Sequence, residues 1–135
     1  MRADDGRALP NFINQALEGK PLTIHGDGTQ TRSFCYVDDL VEAILRTADS
    51  DYHEPINIGN NDEITVRQAA EAVIELTRST SPIHFVERPI NDPERRKPDL
   101  TRARELLGWS PTTPWRVGFA RTVEYFRSVQ QAAAV

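Results

Sequence analysis

Apolar positions along the chain recur in two periods, and the switches between them divide it into short segments. Leu9, Phe12, Ile13, Ala16 and Leu17 share one stripe at helical spacing, which predicts a helix over residues 9 to 18 that Gly19 stops. Leu22-Thr23-Ile24-His25 reads as a short strand before a Gly-Asp-Gly turn, and Ser33 to Tyr36 as a second extended segment. A helix over residues 39 to 48 follows, with Leu40, Ile44 and Leu45 on one face and the Asp38-Asp39 pair as its cap. Pro55-Ile56-Asn57-Ile58-Gly59 reads as a brief apolar strand and Asn60-Asn61-Asp62 as a turn.

Val66, Ala69, Ala70, Val73, Ile74 and Leu76 then predict a helix over residues 65 to 78 with Thr65 as its cap, and Ile83-His84-Phe85-Val86 a strand. Residues 87 to 98 hold three prolines and no apolar period, so a loop is expected there, and four of its residues are basic. Asp99 or Thr101 caps a helix ending near Leu107, Gly108 terminates it, and Trp109 opens a linker. A last helix is predicted from Pro114 to Val129, with Gln130 to Val135 fraying.

Short strands alternating with helices indicate an α/β arrangement, with no internal repeat and no second domain boundary. A chain of 135 residues fits one domain, burying about two-thirds of the surface its unfolded form exposes. Four small strands do not cover the wide apolar faces of the helices, so the chain reads as part of something larger, and bare apolar surface predicts oligomerisation or poor solubility.

Composition narrows the function. With 39% hydrophobic and 27% charged residues the chain has ordinary globular balance. No apolar run approaches the roughly 20 residues that span a bilayer. Met1-Arg2-Ala3-Asp4-Asp5-Gly6-Arg7 lacks the apolar core of a signal peptide, so a cytoplasmic location is expected. A net charge of −4 argues against general nucleic-acid binding. Cys35 is the only cysteine, which excludes an internal disulfide and a cysteine-rich metal site. Its expected role is packing, because no spacing singles out His25, His53 or His84 as its base.

The candidate chemistry centres on Gly26-Asp27-Gly28-Thr29-Gln30-Thr31-Arg32-Ser33-Phe34. Its glycines permit a tight turn with positive φ, and the planar fork of Arg32 suits a diphosphate. The other reading of Arg32 is a surface ion pair with Asp38 or Asp39. Asp38 and Asp39 are better explained as helix caps than as paired catalytic carboxylates, and Trp109 and Trp115 as anchors than as a sugar platform. Nothing resembles a dinucleotide fingerprint, and Tyr36, Tyr52 and Tyr125 lack the lysine four positions on that would lower a tyrosine's pKa.

The ordered set of Asp5-Gly6-Arg7 through Asn11-Phe12-Ile13, Pro21-Leu22-Thr23-Ile24, GDGTQTRSFCYVDDLVEAI, PINIGN and RRKPDLTRARELLGW resembles the carboxy-terminal part of extended short-chain dehydrogenase/reductases, the NAD-dependent epimerase/dehydratase family. Within it the run is most similar to bacterial UDP-glucuronate decarboxylases, with dTDP-glucose 4,6-dehydratases and nucleotide-sugar 4-epimerases as near relatives. The resemblance implies that residues 1–135 are a nucleotide-sugar-binding lobe lacking the main Rossmann half, and that Met1 starts a truncated or split gene product. In complete decarboxylases NAD oxidises the sugar at C4, CO2 is lost, and the returned hydride gives UDP-xylose. The half that holds NAD and the Thr/Ser-Tyr-Lys set is absent, so no catalytic residue and no NAD binding are expected in this chain alone. The expected partners are a UDP-sugar, a separate Rossmann-containing chain and a second copy. The alternatives are a dTDP-glucose 4,6-dehydratase or UDP-sugar 4-epimerase fragment, a non-catalytic UDP-binding module, and a remnant or interaction domain with no ligand.

By the same resemblance Arg32 contacts the diphosphate, and Arg96 is a second phosphate-facing arginine. Arg95 and Arg88 are weaker candidates, and a solvated basic loop is the alternative for all three. Thr23 and Ile24 match a strand that meets the uracil through main-chain groups. His25 departs from the tyrosine common there, giving a smaller, pH-sensitive contact or simply an exposed strand end. Leu9, Pro10 and Phe12 match a pocket-lining segment, although Phe12 also fits a core position.

Overall fold

The computed structural model describes residues 6–133; residues 1–5 and 134–135, with the readings made on them, lie outside the described residues. Among the described residues, five helices alternate with five short strands: α1 (Ala8–Leu17), β1 (Leu22–His25), β2 (Thr31–Arg32), α2 (Val37–Ala48), β3 (Ile64–Thr65), α3 (Val66–Thr77), β4 (Ile83–Val86), β5 (Arg95–Arg96), α4 (Thr101–Leu107) and α5 (Trp115–Ala133). β1 lies parallel to β4 with Leu22 opposite Ile83 and His25 opposite Val86. β2 is the middle of a separate ladder, antiparallel to β3 and parallel to β5.

The main core forms where the α1 stripe (Leu9, Phe12, Ile13, Ala16) meets Leu22 and Ile24 of β1, the small residues Ala69, Ala70 and Val73 of α3, and Phe119, Val123 and Phe126 of α5. Alternation along β1 sends Leu22 and Ile24 inward and leaves Thr23 and His25 on the other face. The Thr65 cap takes its expected form, a capping box in which Thr65 accepts from the Gln68 N–H and the Gln68 side chain accepts from the Thr65 N–H. A smaller cluster joins Ala43 of α2, Leu100 and Ala103 of α4, and Trp109.

Tertiary pairing moves several elements from their predicted places. The strand expected at Ser33–Tyr36 lies instead at Thr31–Arg32, where β3 and β5 supply partners. Residues 55–59 are irregular, because no strand among the described residues lies beside them; Ile56 and Ile58 lean into the smaller cluster. The loop at 87–98 contains β5. α5 continues to Ala133 rather than fraying from Gln130. Gly108 does terminate α4, at φ +57°, and Asp99 accepts the Thr101 N–H at its start.

Asp39 is not a cap. α2 begins after Tyr36 without a side-chain capping bond, and Asp39, only 5% exposed, turns to the linker before α5. Its Oδ2 accepts the N–H groups of Thr112 and Thr113 at 3.2 and 2.8 Å, and its Oδ1 accepts both hydroxyls at 3.1 Å. Desolvation alone would raise the Asp39 carboxyl, but these bonds outweigh it and hold the pKa below the ordinary value of 3.8. Of the predicted apolar face of α2, Leu40 is half-buried beside the cleft, while Ile44 and Leu45 are bare at 52% and 60% exposure beside Val37 and Val41.

The Gly-Asp-Gly turn is a packed corner. Gly26 and Gly28 sit at φ +76° and +80°. A Cβ on Gly28 would stand 3.0 Å from the Arg67 Cβ and 3.3 Å from the Ile24 Cγ2. Asp27 accepts the N–H and hydroxyl of Thr29, which hold its carboxyl below its usual range. Gly28→Ala is therefore expected to lower stability by about 2–4 kcal/mol, left-handed strain plus overpacking, as read by urea denaturation. Asp39→Asn is expected to cost about 2 kcal/mol at neutral pH. Because the folded pKa is depressed, the gap between wild type and variant should be full above the ordinary carboxyl value and close as pH falls through the folded one, in denaturation measured from pH 7 to 2.

Candidate functional site

An open cleft of about 1410 Å³ runs between α1, β1, the segment from Gln30 to Val37, the 89–96 loop and α5. Its lining includes Leu9, Pro10, Phe12, Thr23, His25, Arg32 and Arg96, which the sequence had singled out, and Asp92, Tyr36, Arg121 and Tyr125, which it had not. Phe34 and Trp115 meet Phe119 edge-on at centroid distances of 5.0 and 5.1 Å and form an apolar wall.

Both arginines reach the cleft because β2 and β5 pair in parallel with Arg32 opposite Arg96. The same strand alternation turns Arg95 the other way. It grips Glu63 by two bonds of 2.7 and 2.6 Å, and Glu63 also accepts the Thr31 hydroxyl. Arg88 does not line the cleft either; it pairs with Asp92 and Glu94 while its stem lies against Gly26. Arg95 and Arg88 thus turn to carboxylates rather than into the cleft.

Arg32 does not pair with Asp38 or Asp39. Its Nη1 donates to the carbonyls of Thr31 and Pro93 at 2.7 and 2.9 Å, and its Nη2 to Asp92 Oδ1 at 2.5 Å. A guanidinium has five N–H groups, so Nε–H and one Nη2–H remain for a ligand. Among the described residues no carboxylate pairs with Arg96, which is exposed. Neither Gly26 nor Gly28 lines the cleft, so the turn is the seat of Arg88 rather than a phosphate cradle.

Along β1 the parallel ladder with β4 uses the backbone groups of Leu22 and Ile24, which leaves those of Thr23 and His25 on the open edge. Two glutamines occupy part of that edge. Gln15 accepts the Thr23 N–H at 3.0 Å, and buried Gln30 donates to the His25 carbonyl at 2.7 Å. Gln30 Oε1 and Ser33 Oγ are buried without a hydrogen-bond partner among the described residues, and both residues line the cleft. Ile24 itself is fully buried core, its backbone groups are taken by β4, and it does not line the cleft. His25 is exposed, with Nδ1 3.2 Å from the Glu87 carbonyl.

Arg121 stacks on the Tyr36 ring at 5.1 Å, and Tyr36 packs where a Cβ on Gly118 would lie, 3.2 Å from its Cδ2. A glycine inside a helix was the one sequence sign of this contact. Cys35 lies in the cleft lining, but burial pushes its thiol up to about 11, with the charge of Asp39 adding to the effect, so it is protonated at neutral pH. Among the described residues no group of three His, Cys, Asp or Glu could hold a metal ion, and no helix is long and apolar enough to cross a membrane.

A dinucleotide's phosphates sit at the N-terminus of a helix that follows a strand. Here the first N–H groups of α3 donate to Gln30, Gly28 and Thr65, and α2 opens with Asp38 and Asp39.

The model of the NAD dependent epimerase/dehydratase family matches residues 1–59. UDP-glucuronic acid decarboxylase 6 of Arabidopsis thaliana is 49% identical over 94% of this chain and 37% of its own length. UDP-glucuronic acid decarboxylase 1 of Danio rerio is 43% identical over 93% of this chain and 30% of its own. Among solved structures, Thermotoga maritima UDP-glucose 4-epimerase with UDP-glucose superposes with a TM-score of 0.88 at 32% identity, over 92% of this chain and 40% of that one. Bacillus cereus UDP-glucuronic acid 4-epimerase, in complex with UDP-glucuronic acid and NAD, gives 0.88 at 30% identity over 96% of this chain and 41% of that one. The chain therefore spans well under half the length of these relatives, and in sequence and fold it is similar to members of the NAD dependent epimerase/dehydratase family.

Proposed function

We propose that this chain is the nucleotide-sugar-binding part of a UDP-sugar-processing enzyme, with UDP-glucuronate, the decarboxylase substrate, as the sugar nucleotide. The observation that carries the reading is the β2–β5 register, which puts Arg32 and Arg96 on one cleft wall next to the open edge of β1. The two guanidiniums suit the diphosphate, and the Thr23 carbonyl and His25 N–H on the strand edge suit the base. Leu9 and Phe12 supply an apolar wall. Identity favours the decarboxylases, 49% against 32% for the epimerase with UDP-glucose. The dehydratase and epimerase chemistries, or binding without turnover, are the other assignments of the same cleft.

Hydride transfer would come from NAD held by a portion of the fold this chain does not contain. The residues present bind and orient. Tyr36 and Tyr125 line the cleft, with Leu40 and Val129 rather than lysine four positions on.

The bare face of α2 is where we place the contact with the remaining half of the enzyme, whether in the same chain or a separate Rossmann-containing one. Left uncovered, that face should drive self-association, so Ile44→Glu with Leu45→Glu is expected to return the protein to a monomer in sedimentation velocity; association unchanged by the pair would place the interface elsewhere.

Calorimetric titration with UDP tests the site directly. Arg32→Ala or Arg96→Ala is expected to weaken binding by about 10–100-fold, the loss of one charge-assisted contact, whereas Arg95→Ala should leave it unchanged. A folded chain that does not bind UDP would refute autonomous ligand binding.

A further inference from the structure

We propose that Asp92 is the positioning residue for Arg32, with Arg88 as its support, an inference that rests on reading Arg32 as a phosphate contact. A long arginine loses rotamer freedom when a ligand fixes it, and a side chain held in place beforehand avoids that loss on binding. Arg32 is held in this way. Its Nη1 bridges the carbonyls of Thr31 and Pro93, and Asp92 Oδ1 takes its Nη2.

Asp92 is fixed in turn from the side away from the cleft. Its Oδ2 accepts Arg88 Nε at 3.1 Å, and its carbonyl accepts Arg88 Nη2 at 2.9 Å. Arg88 also pairs with Glu94. The stem of Arg88 passes Gly26, where a Cβ would lie 3.1 Å from the Arg88 Cδ. The chain of contacts therefore runs from the Gly-Asp-Gly turn through Arg88 and Asp92 to the guanidinium that faces the cleft. The side chains of Arg32, Asp92 and Arg88 are only 19%, 24% and 23% exposed, so solvent screens these pairs less than it screens surface ones.

A carboxylate beside a phosphate site could also act by repulsion alone. The geometry favours positioning, because Asp92 lies between two guanidiniums and its Oδ1 takes the Arg32 Nη2 directly. Removing the carboxylate takes from Arg32 its one charged anchor, leaving its Nη2 end unheld while the two carbonyls still hold Nη1.

The test pairs UDP calorimetry with side-chain 15N NMR of the full chain. Asp92→Asn is expected to weaken UDP binding about tenfold, Asp92→Glu to recover part of the loss, and Asp92→Asn to change nothing further in an Arg32→Ala background. The Arg32 Nε–Hε group should be rigid in the wild type and mobile in Asp92→Asn. Tighter binding by Asp92→Asn, or equal weakening with and without Arg32, would overturn the proposal. If the folded wild type does not bind UDP, the ligand reading fails by itself, and NMR still decides the positioning role: an equally rigid Arg32 in Asp92→Asn refutes it.

Discussion

Parallel pairing of β1 with β4 is the constraint from which the rest of the structure follows. A parallel pair cannot be closed by a hairpin, so the chain between His25 and Ile83 has to leave the strand, cross and return. That crossing carries the Gly-Asp-Gly turn, β2, α2, β3 and α3. α3 packs its alanines against α1 and the inner face of β1, which leaves the opposite face and edge of β1 beside the cleft. The strand is therefore both the floor of the core and one wall of the candidate site.

The arginines divide by the faces of short strands. β2 and β5 are two residues long, yet their register decides that Arg32 and Arg96 share a wall while Arg95 grips Glu63 on the reverse. Asp92, Glu94 and Glu63 neutralise the cations that serve the fold, and part of the Arg32 fork and all of Arg96 stay open to the cleft. A net-acidic chain thereby presents a local cationic surface suited to one anionic ligand.

The uncovered surfaces fit a chain that spans 37% of a relative such as the Arabidopsis thaliana decarboxylase. Ile56 and Ile58 carry a strand pattern without a ladder, and α2 turns Ile44 and Leu45 to solvent while burying Ala43 and Asp39. Both departures have one physical cause. A strand needs a neighbour for its backbone groups, and an amphipathic helix needs a surface for its stripe; among the described residues neither has one.

By itself the sequence determined what depends on local chemistry. α1 and α3 follow from their apolar period, the α3 start from the Thr65 capping box, the end of α4 from Gly108, and β1 and β4 from short apolar runs bounded by turn residues. Motif order marked the family resemblance and named Arg32, Arg96, Thr23 and His25 as candidates, and these four line one cleft. Tertiary structure alone decided the rest, because each choice is a contact between distant segments. Asp39 clasps Thr112 and Thr113 instead of capping its own helix. Arg88 and Arg95 turn to carboxylates, and Ile24 enters the core. Strands as short as Thr31–Arg32 and Arg95–Arg96 exist only where their partners come to meet them, since two residues hold no period of their own and backbone pairing is a property of both chains at once.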